Sequence, residues 1–433
     1  MPTSRREFLA ASAAATAVAS SSHLFAAGGD VLKVGLIGCG QRGTGAAVNA
    51  LRADKNVKLV AMADAFEDRL DESLANLLKK ESVAAKVDVK PDAKFVGFDG
   101  YKRVIERCDV VLLTTPPQFR PLHLRAAVDA GKHVFAEKPV AVDSPGVRSV
   151  LASCAEAKKK NLSVVSGLCL RYDAGFQEAV KRIHDGALGE VVALFANDYR
   201  GGRWEKKRQP DWTDVTYHMR NWYNFTWLSG DFNVEQHVHF LDVCAWVMKE
   251  KYPVRAIGMG GRAVLSGPEY GNIYDHFSIV YEYANGAKLV SNTRQHPKTK
   301  GDMSAHVLGA RGRSVLSERT NGLTIRTDKD DWVYEGPGNE MYQAEHDALF
   351  ASIRSGKPIN NGEYMSHSTL LAIMGRMAAY TGQEITWKMA LESKEDLFKG
   401  VLGAKPDEPM PGYDWSTKLI HPPVSLPGVA KFV

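Results

Sequence analysis

A glycine-rich turn between an apolar strand and a helical stretch limits the possible folds of this chain more than any other feature. Residues 31–37 are typical of a buried parallel strand, and the sequence GCGQRG follows directly. In such a turn the first glycine permits a tight bend, the second lets a pyrophosphate approach the backbone, and the third allows close packing of helix on strand. We therefore predict a dinucleotide site that includes Gly38, Gly40, Gln41, Arg42 and Gly43.

An acidic residue at the end of the second predicted strand indicates which dinucleotide is bound. Asp64 ends the strand-like run at residues 57–63 and lies about 20 residues beyond Gly43, the usual distance in this motif. Its carboxylate would accept hydrogen bonds from the ribose hydroxyls of adenosine and would repel a 2′-phosphate. The pattern predicts NAD rather than NADP. The alternative is a glycine-rich turn in some other doubly wound protein.

The order of strands and helices along the chain predicts two different sheets. Strand-like and helical runs alternate to about residue 170, which indicates a doubly wound parallel Rossmann sheet. From residue 191 strand-like runs follow one another closely, and Asn285-Gly286 is a strong hairpin signal. We therefore predict an α/β fold in three parts: a Rossmann domain at residues 30–170, a substrate-binding and catalytic α+β domain with a large, mostly antiparallel open sheet at 171–385, and an extended C-terminal arm at 386–433.

The first 28 residues are typical of a twin-arginine export signal. Arg5 and Arg6 precede Phe8-Leu9 and an alanine-rich stretch, and small residues at 26–28 offer a cleavage point. The alternative is a disordered tail that contains two arginines. No other stretch reaches the roughly 18 apolar residues that a membrane helix requires. The sequence therefore predicts an exported, periplasmic protein with no membrane partner after signal removal.

Charge and cysteine usage argue against two other classes of protein. The net charge is only +5 over 433 residues, and basic runs such as residues 158–160 are scattered rather than gathered into a stripe. This distribution argues against a nucleic-acid partner. The five cysteines form no CxxC motif, so we expect free, mostly buried thiols rather than a disulfide scaffold.

Two groups of residues offer catalytic chemistry. Lys138 follows a strand that ends at the cofactor edge of the sheet, where an ammonium group can stabilise a hydroxyl as it loses its proton; the alternative is a surface lysine. Glu235, His239 and Asp242 fall on one face of a helix predicted at about residues 234–248. His239 is a candidate general base there, and the alternatives are a hydrogen-bonded core histidine and a metal ligand. We predict no metal.

Residues 204–227 concentrate aromatic side chains with planar polar groups between them. Half of the eight tryptophans lie in this segment, and neither helical nor strand periodicity is evident. Aromatic faces beside polar side chains suit a sugar, whose C–H faces stack and whose hydroxyls form hydrogen bonds. The alternative is a local apolar core or an oligomer contact.

From residue 31 to about residue 380 the chain resembles the Gfo/Idh/MocA oxidoreductases, a family that includes glucose–fructose oxidoreductase and inositol dehydrogenases. The resemblance rests on the glycine turn with Asp64, on the sequence TPP at 115–117 with His123, and on GKHVFAEKP at 131–139. It implies Lys138 and His239 as catalytic residues with Glu235 as their carboxylate partner. Further cofactor contacts are predicted at Thr115, Pro116, His123, Glu137 and Lys138, and substrate contacts at Arg171, Tyr172, Trp222 and Asp242.

Two residues depart from the family pattern, since Glu235 stands where Asp is usual and His237 where a small residue is typical. The resemblance therefore leaves the particular substrate open. It also implies a homodimer or homotetramer.

The predicted export sets a requirement on the reaction. No free NAD pool exists outside the cytoplasm, so an exported enzyme must carry its cofactor tightly bound and regenerate it in place. Our leading hypothesis is an NAD-dependent oxidoreductase that acts on a sugar, sugar derivative or cyclitol. The alternative is an NAD-dependent glycoside hydrolase that works by transient oxidation, elimination, hydration and re-reduction. A third hypothesis is a non-catalytic sugar-binding protein.

Overall fold

The computed structural model describes residues 30–318 and 322–433, and the predicted export signal lies outside these residues. The first sheet consists of β1 Leu32–Ile37, β2 Val57–Asp64, β3 Lys94–Val96, β4 Val110–Leu113, β5 His133–Ala136 and β6 Val164–Ser166. The second consists of β7 Val191–Arg200, β8 Arg255–Gly261, β9 His276–Glu282, β10 Lys288–Gln295, β11 Asp302–Gly309, β12 Gly312–Ser317, β13 Leu323–Thr327, β14 Asp331–Val333 and β15 Ile385–Thr386.

Helices cover both sheets. Those around the first sheet are α1 Gln41–Ala53, α2 Glu67–Lys79, α3 Glu81–Ala84, α4 Gly100–Arg107, α5 Arg120–Asp129 and α6 Ser144–Lys159. The later ones are α7 Ala174–His184, α8 Asp214–Arg220, α9 Thr226–Ser229, α10 Phe232–Glu235, α11 Val238–Val247, α12 Met341–Ser355, α13 Gly362–Thr381, α14 Trp387–Glu392 and α15 Leu397–Val401.

The first sheet is parallel throughout, as predicted, with the strand order β3-β2-β1-β4-β5-β6. Its strands are apolar runs because helices cover both faces, and every residue of β4 is buried. β1 lies between β2 and β4, and this change in the direction of strand order opens a crevice at the carboxyl ends of the strands. The loops after β1, β4 and β5 meet there, so the glycine turn, Thr115 and Lys138 lie at one edge.

The second sheet has nine strands in the order β14-β13-β12-β11-β7-β10-β9-β8-β15. β7 and β10 are parallel, whereas the other neighbouring strands are antiparallel. The prediction of a large, mostly antiparallel sheet is therefore confirmed. Helices α11 and α13 pack on its inner face. The outer face leaves apolar side chains exposed, namely Val192, Ile257, Met259, Val280 and Leu308.

Helix α13 fixes the two sheets relative to each other. It is buried along almost its whole length and packs on α6, α11 and β8. Its fully buried Arg376 donates hydrogen bonds to the carbonyl of Val142 (2.7 Å) and to the Glu395 carboxylate (2.5 Å). Helix α13 thus contacts three parts of the molecule: the connections of the first sheet, the second sheet and the C-terminal residues.

The helix predicted at about residues 234–248 is two helices in the structure. α10 ends at Glu235 and α11 begins at Val238. The amide of His237 donates to the carbonyl of Phe232, five residues back, and its ring Nε2 lies 2.8 Å from Ser291 Oγ on β10. This wider turn interrupts the helical periodicity. The prediction that Glu235, His239 and Asp242 share one helical face is therefore wrong.

The C-terminal residues are less extended than predicted, because they begin with two short helices. Thr386 caps α14 by accepting a hydrogen bond from the amide of Met389, and Asp396 caps α15 in the same way through Lys399. The chain beyond α15 runs over the body as coil and turns, and the Tyr274 hydroxyl donates to the carbonyl of Ser425 (2.9 Å).

The cysteine prediction is confirmed, because all five cysteines are free and buried. Burial raises the pKa of the Cys108 and Cys154 thiols to about 12, so both stay protonated near neutral pH. Within the described residues, no helix is both long enough and apolar enough to pass through a bilayer.

Replacing His346 with Gln is expected to change the pH dependence of stability. The imidazole is fully buried against Phe135, and burial lowers its pKa to about 3. In the unfolded chain it titrates near 6.5, so the unfolded state binds an extra proton as the pH falls below that value. Relative to the variant, the wild type should lose about 1.4 kcal/mol of unfolding free energy per pH unit between about pH 6 and pH 4, measured in urea. A difference that stays constant over this interval would contradict the prediction.

Candidate active site

A cavity of about 760 Å³ runs along the carboxyl edge of the first sheet and continues towards the second. One end is formed by the loops after β1 and β2. The other end is formed by residues from the aromatic segment and from α10. The lining includes the predicted cofactor residues Gly38, Gly40, Gln41, Arg42, Gly43, Asp64, Thr115, Pro116 and His123, together with Trp222 and Glu235. The structure thus brings most of the predicted site residues into one cavity.

The three glycines of the turn meet different constraints. Gly38 has a φ of +96°, which side-chain-bearing residues rarely adopt. A Cβ on Gly43 would lie 1.9 Å from the carbonyl oxygen of Gly38, so close packing of α1 on β1 requires glycine there. A Cβ on Gly40 would meet no atom within 4 Å. The open space beside Gly40 at the start of α1 fits the pyrophosphate of a dinucleotide.

Asp64 joins the glycine turn to the loop after β2. Its carboxylate accepts hydrogen bonds from the amides of Cys39 (2.6 Å) and Phe66 (2.9 Å). Burial raises the pKa of Asp64, although these two amides oppose the shift. Asp64 lines the cavity, and its carboxylate has lone pairs left beyond these two hydrogen bonds, as a ribose partner requires.

The loop after β4 is held by Arg120. Its guanidinium donates two hydrogen bonds to the carbonyl of Thr115, at 2.6 and 3.1 Å. The Thr115 hydroxyl lies 3.4 Å from Nδ1 of His123, and burial lowers the pKa of His123 to about 3. His123 is therefore neutral near neutral pH, and the loop presents Thr115 and Pro116 to the cavity in a fixed conformation.

Lys138 connects the two halves of the site. It follows β5, and its Nζ donates hydrogen bonds to the backbone carbonyl of Glu235 (2.6 Å) and to Glu235 Oε1 (3.1 Å). Both side chains are nearly buried, at 13% and 10% exposure. An ammonium group has three N–H donors, so one remains for a ligand.

His239 lies in the electrostatic field of this ammonium group. Burial lowers the pKa of His239 far below its ordinary value, and the positive charges of Lys138 and Arg200 lower it further. Among the described residues, neither His239 Nδ1 nor Glu235 Oε2 has a hydrogen-bond partner, although both atoms are buried. Glu235 lines the cavity, whereas Lys138, His239 and Glu137 lie behind its lining. Because buried polar atoms are rarely left unsatisfied, the cavity beside Glu235 Oε2 is suited to a hydroxyl-bearing ligand.

Arg42 and Glu137 pair with each other and with a residue that the sequence analysis missed. Arg42 Nε donates to Glu137, and Arg42 Nη2 donates to Glu345 Oε1 at 3.0 Å. Burial opposes ionisation of Glu137, but Arg42 and Lys138 outweigh it and keep the pKa of Glu137 below the usual value. Burial and the neighbouring Glu137 raise the pKa of Glu345. Arg42 is thus fixed at the cavity wall by two carboxylates.

Three predicted substrate residues lie elsewhere. Arg171 donates two hydrogen bonds of 2.8 Å to Asp242, which also accepts one from the Ser368 hydroxyl. The Tyr172 hydroxyl donates to Asn361 at 3.0 Å. None of the three lines the cavity. The wider turn at His237 separates Asp242 from Glu235, and Asp242 instead compensates the buried charge of Arg171.

The aromatic residues of the segment 204–227 serve both of the roles considered for them, since some line the cavity and others form an apolar core. Trp204, Trp222 and Tyr223 line the cavity. Tyr217, Phe225 and Trp227 instead pack into an apolar cluster, in which the Trp227 ring stacks on Phe398 with 4.9 Å between centroids. Further lining residues that the sequence analysis missed are Phe66, Arg69, Phe98, Tyr101, Met219 and Arg220. Phe66 and Phe98 each lie two residues beyond the end of a parallel strand, β2 and β3. This position at the carboxyl edge of the sheet is the signal by which the sequence could have indicated them.

Possible metal ligands converge outside this cavity. Among the described residues, ligand atoms of Asp275, His276 and His296 lie within 4.8 Å of one another. The Asp275 carboxylate already accepts hydrogen bonds from the amides of residues 263–265. The segment around His239 is arranged differently, since Glu235 contacts Lys138 and His237 contacts Ser291.

Fold and site together define a dinucleotide-binding Rossmann domain joined to a second, sheet-based part that completes the cavity. Residues 32–166 match the GFO_IDH_MocA family, an oxidoreductase family with an NAD-binding Rossmann fold. Within residues 32–166 the chain is thus an NAD-binding oxidoreductase domain of the Gfo/Idh/MocA type.

Similar proteins extend the comparison beyond the Rossmann domain. Inositol 2-dehydrogenase of Rhizobium meliloti (strain 1021) is 25% identical over 330 residues, which are 74% of this chain and 86% of that protein. The 2,7-anhydro-N-acetylneuraminate hydratase of Escherichia coli (strain K12) is 28% identical over 178 residues, 41% of this chain and 43% of that protein. The crystal structure of aldose-aldose oxidoreductase from Caulobacter crescentus, at 19% identity, superimposes with a TM-score of 0.65 and covers 82% of this chain and 99% of that one.

Alanine at Gly40 and at Gly43 should separate cofactor contact from packing. The Gly43→Ala methyl group collides with the backbone of Gly38, so we expect a loss of about 1–3 kcal/mol in unfolding free energy. The Gly40→Ala methyl group fits the protein but occupies space that the pyrophosphate needs. This variant should keep its stability without cofactor and bind NAD about tenfold more weakly or worse, by calorimetric titration. Equal destabilisation of both variants would be inconsistent with this assignment.

Proposed function

We propose that this protein oxidises a hydroxyl group of a sugar, sugar derivative or cyclitol, with NAD held by the glycine turn and Asp64. The observation that carries the proposal is the pair of unsatisfied buried atoms, His239 Nδ1 and Glu235 Oε2, next to the ammonium group of Lys138. Glu235 lines the cavity, so a substrate hydroxyl there can donate a hydrogen bond to Glu235 Oε2, and the neutral His239 ring nearby keeps a nitrogen without a partner. NAD, when bound, supplies the acceptor for the hydride that leaves the substrate carbon.

The three residues have separate roles in this reaction. His239 is held neutral by burial and by Lys138, so its imidazole can accept the proton of the substrate hydroxyl. The remaining N–H of Lys138 stabilises the negative charge that develops on the substrate oxygen. Glu235 fixes the direction of the ammonium group through its carbonyl and its carboxylate.

The lining of the cavity supports this class of substrate. Trp204, Trp222 and Tyr223 offer aromatic faces, and Glu235 and Gln236 offer polar groups. This mixture suits a ring with apolar C–H faces and several hydroxyls. The similarity to a protein named inositol 2-dehydrogenase supports the same class.

We further propose that the protein is exported with NAD already bound and reoxidises it without release. The twin-arginine pattern at residues 4–9 supports export of a folded protein. A second candidate function is NAD-dependent glycoside hydrolysis by transient oxidation, elimination, hydration and re-reduction. The relative named a hydratase of an anhydro sugar favours this candidate, because such a reaction adds water without net oxidation.

Removing either catalytic side chain should abolish most of the activity. Lys138→Ala and His239→Ala are each expected to lower kcat/KM about 100-fold or more, because each loses part of the proton transfer or charge stabilisation. The measurement is the reduction of NAD to NADH within a single turnover with each of a panel of cyclitols and aldoses, because a cofactor recycled in place leaves no net NADH. Lys158→Ala, an exposed lysine on α6, is the matched control and should match the wild type. Near-normal activity of both active-site variants would refute the assignment.

Aryl glycosides distinguish the two candidate functions. A simple oxidoreductase should form NADH from a free sugar or cyclitol and release no phenol from an aryl glycoside. The glycoside hydrolase should release phenol catalytically with no net NADH, and the release should be lost in His239→Ala. Both assays should be run on protein as purified, after the bound nucleotide has been identified by absorbance and mass. Phenol release without NADH would replace our leading proposal with the second one.

A further inference from the structure

We propose that the C-terminal segment, residues 397–421, supports the aromatic wall at the adenosine end of the dinucleotide site, and that Trp415 is the positioning residue that slows cofactor release by holding this wall in place. This inference rests on the proposed function only in placing NAD in the cavity. It adds a structural element for cofactor retention that lies outside the Rossmann domain.

The aromatic wall beside Asp64 is backed by Trp415. Phe66 and Phe98 line the cavity near Asp64, the residue that faces the adenosine ribose in this kind of site. The Trp415 ring stacks on Phe98, with 4.5 Å between centroids and 29° between planes, and lies 5.1 Å from Phe66. The two phenylalanine side chains that border the adenosine end thus pack against a tryptophan that does not line the cavity and lies more than 300 residues later in the sequence.

The same wall receives contacts from the second part of the molecule. The guanidinium of Arg220 lies 4.0 Å from the Phe66 ring centroid and forms hydrogen bonds of 2.8 and 2.9 Å with Asp68 on α2. Tyr413 meets Phe98 edge-on, at 5.3 Å between centroids. Loops of the Rossmann domain, α8 and the C-terminal segment therefore form one apolar cluster around the rim of the cavity.

The C-terminal segment is fixed on both sides of Trp415. Before it, Phe398 of α15 packs against Trp227 and Phe119. After it, the amide of Ile420 donates to the carbonyl of Val401 (2.8 Å), and His421 Nδ1 lies 3.0 Å from Nε2 of the buried His218. Trp415 is therefore presented on a short closed loop rather than on a free end.

This arrangement affects the kinetics of cofactor exchange. Phe66 and Phe98 border the adenosine end, and a shift of these rings as the adenosine portion leaves would break their contacts with Trp415, so Trp415 opposes that shift. The segment touches neither Lys138 nor His239, so it should alter the release rate without altering the chemical step.

The experiment measures NADH release by stopped-flow fluorescence, with excess NAD as competitor, in three variants of the full chain. Trp415→Ala should raise the release rate about tenfold. Trp415→Phe keeps an aromatic ring and should restore most of the slow release. Leu426→Ala changes an exposed apolar residue later in the arm and should match the wild type. With saturating NAD, the kcat of Trp415→Ala should equal that of the wild type.

Several outcomes would overturn the proposal. They are an unchanged release rate in Trp415→Ala, an equal rise in Leu426→Ala, or a fall in kcat at saturating NAD. If Trp415→Ala does not fold, Trp415→Phe and Trp415→Leu decide, and the proposal fails when both release NADH at the same rate. Because release is measured without substrate, failure of the proposed sugar chemistry would leave this result intact.

Discussion

The contact between the ammonium group of Lys138 and Glu235 is the interaction on which the rest of the site depends. It joins the end of β5 in the Rossmann sheet to the end of α10 beneath the second sheet. Burying a charge is costly unless it is paired and hydrogen-bonded, and here two oxygens of one residue provide both. Burial lowers the pKa of His239 most, and the same positive charge lowers it further. The geometry that holds the two halves together therefore also helps to keep the candidate base neutral.

The parts of the site that could be predicted from the sequence are those encoded locally. The glycine turn and Asp64 are recognisable because a strand, a turn and a helix must follow one another at fixed distances. Lys138 could be placed because it directly follows a strand of a parallel sheet, and such strands all end at the same edge.

The parts that could not be predicted are of two kinds. Some depend on contacts between residues far apart in the sequence, and one depends on the break between helices α10 and α11. Glu345 reaches Arg42 from α12, and Trp415 reaches Phe98 from the C-terminal segment, and neither position carries a local signal. Asp242 was misplaced because helical spacing was continued through His237, whose ring contacts Ser291 instead.

The pairing of β7 with β10 has a consequence for the order of folding. β7 lies in the middle of the second sheet, but its two neighbours, β10 and β11, come much later in the sequence, and the edge strand β15 comes later still. The strands of the Rossmann sheet, in contrast, all precede β7. Contacts between residues far apart in sequence form slowly, because a long loop must close first. During synthesis the strands of the first sheet can therefore pair early, whereas the second sheet is complete only after β15 has left the ribosome.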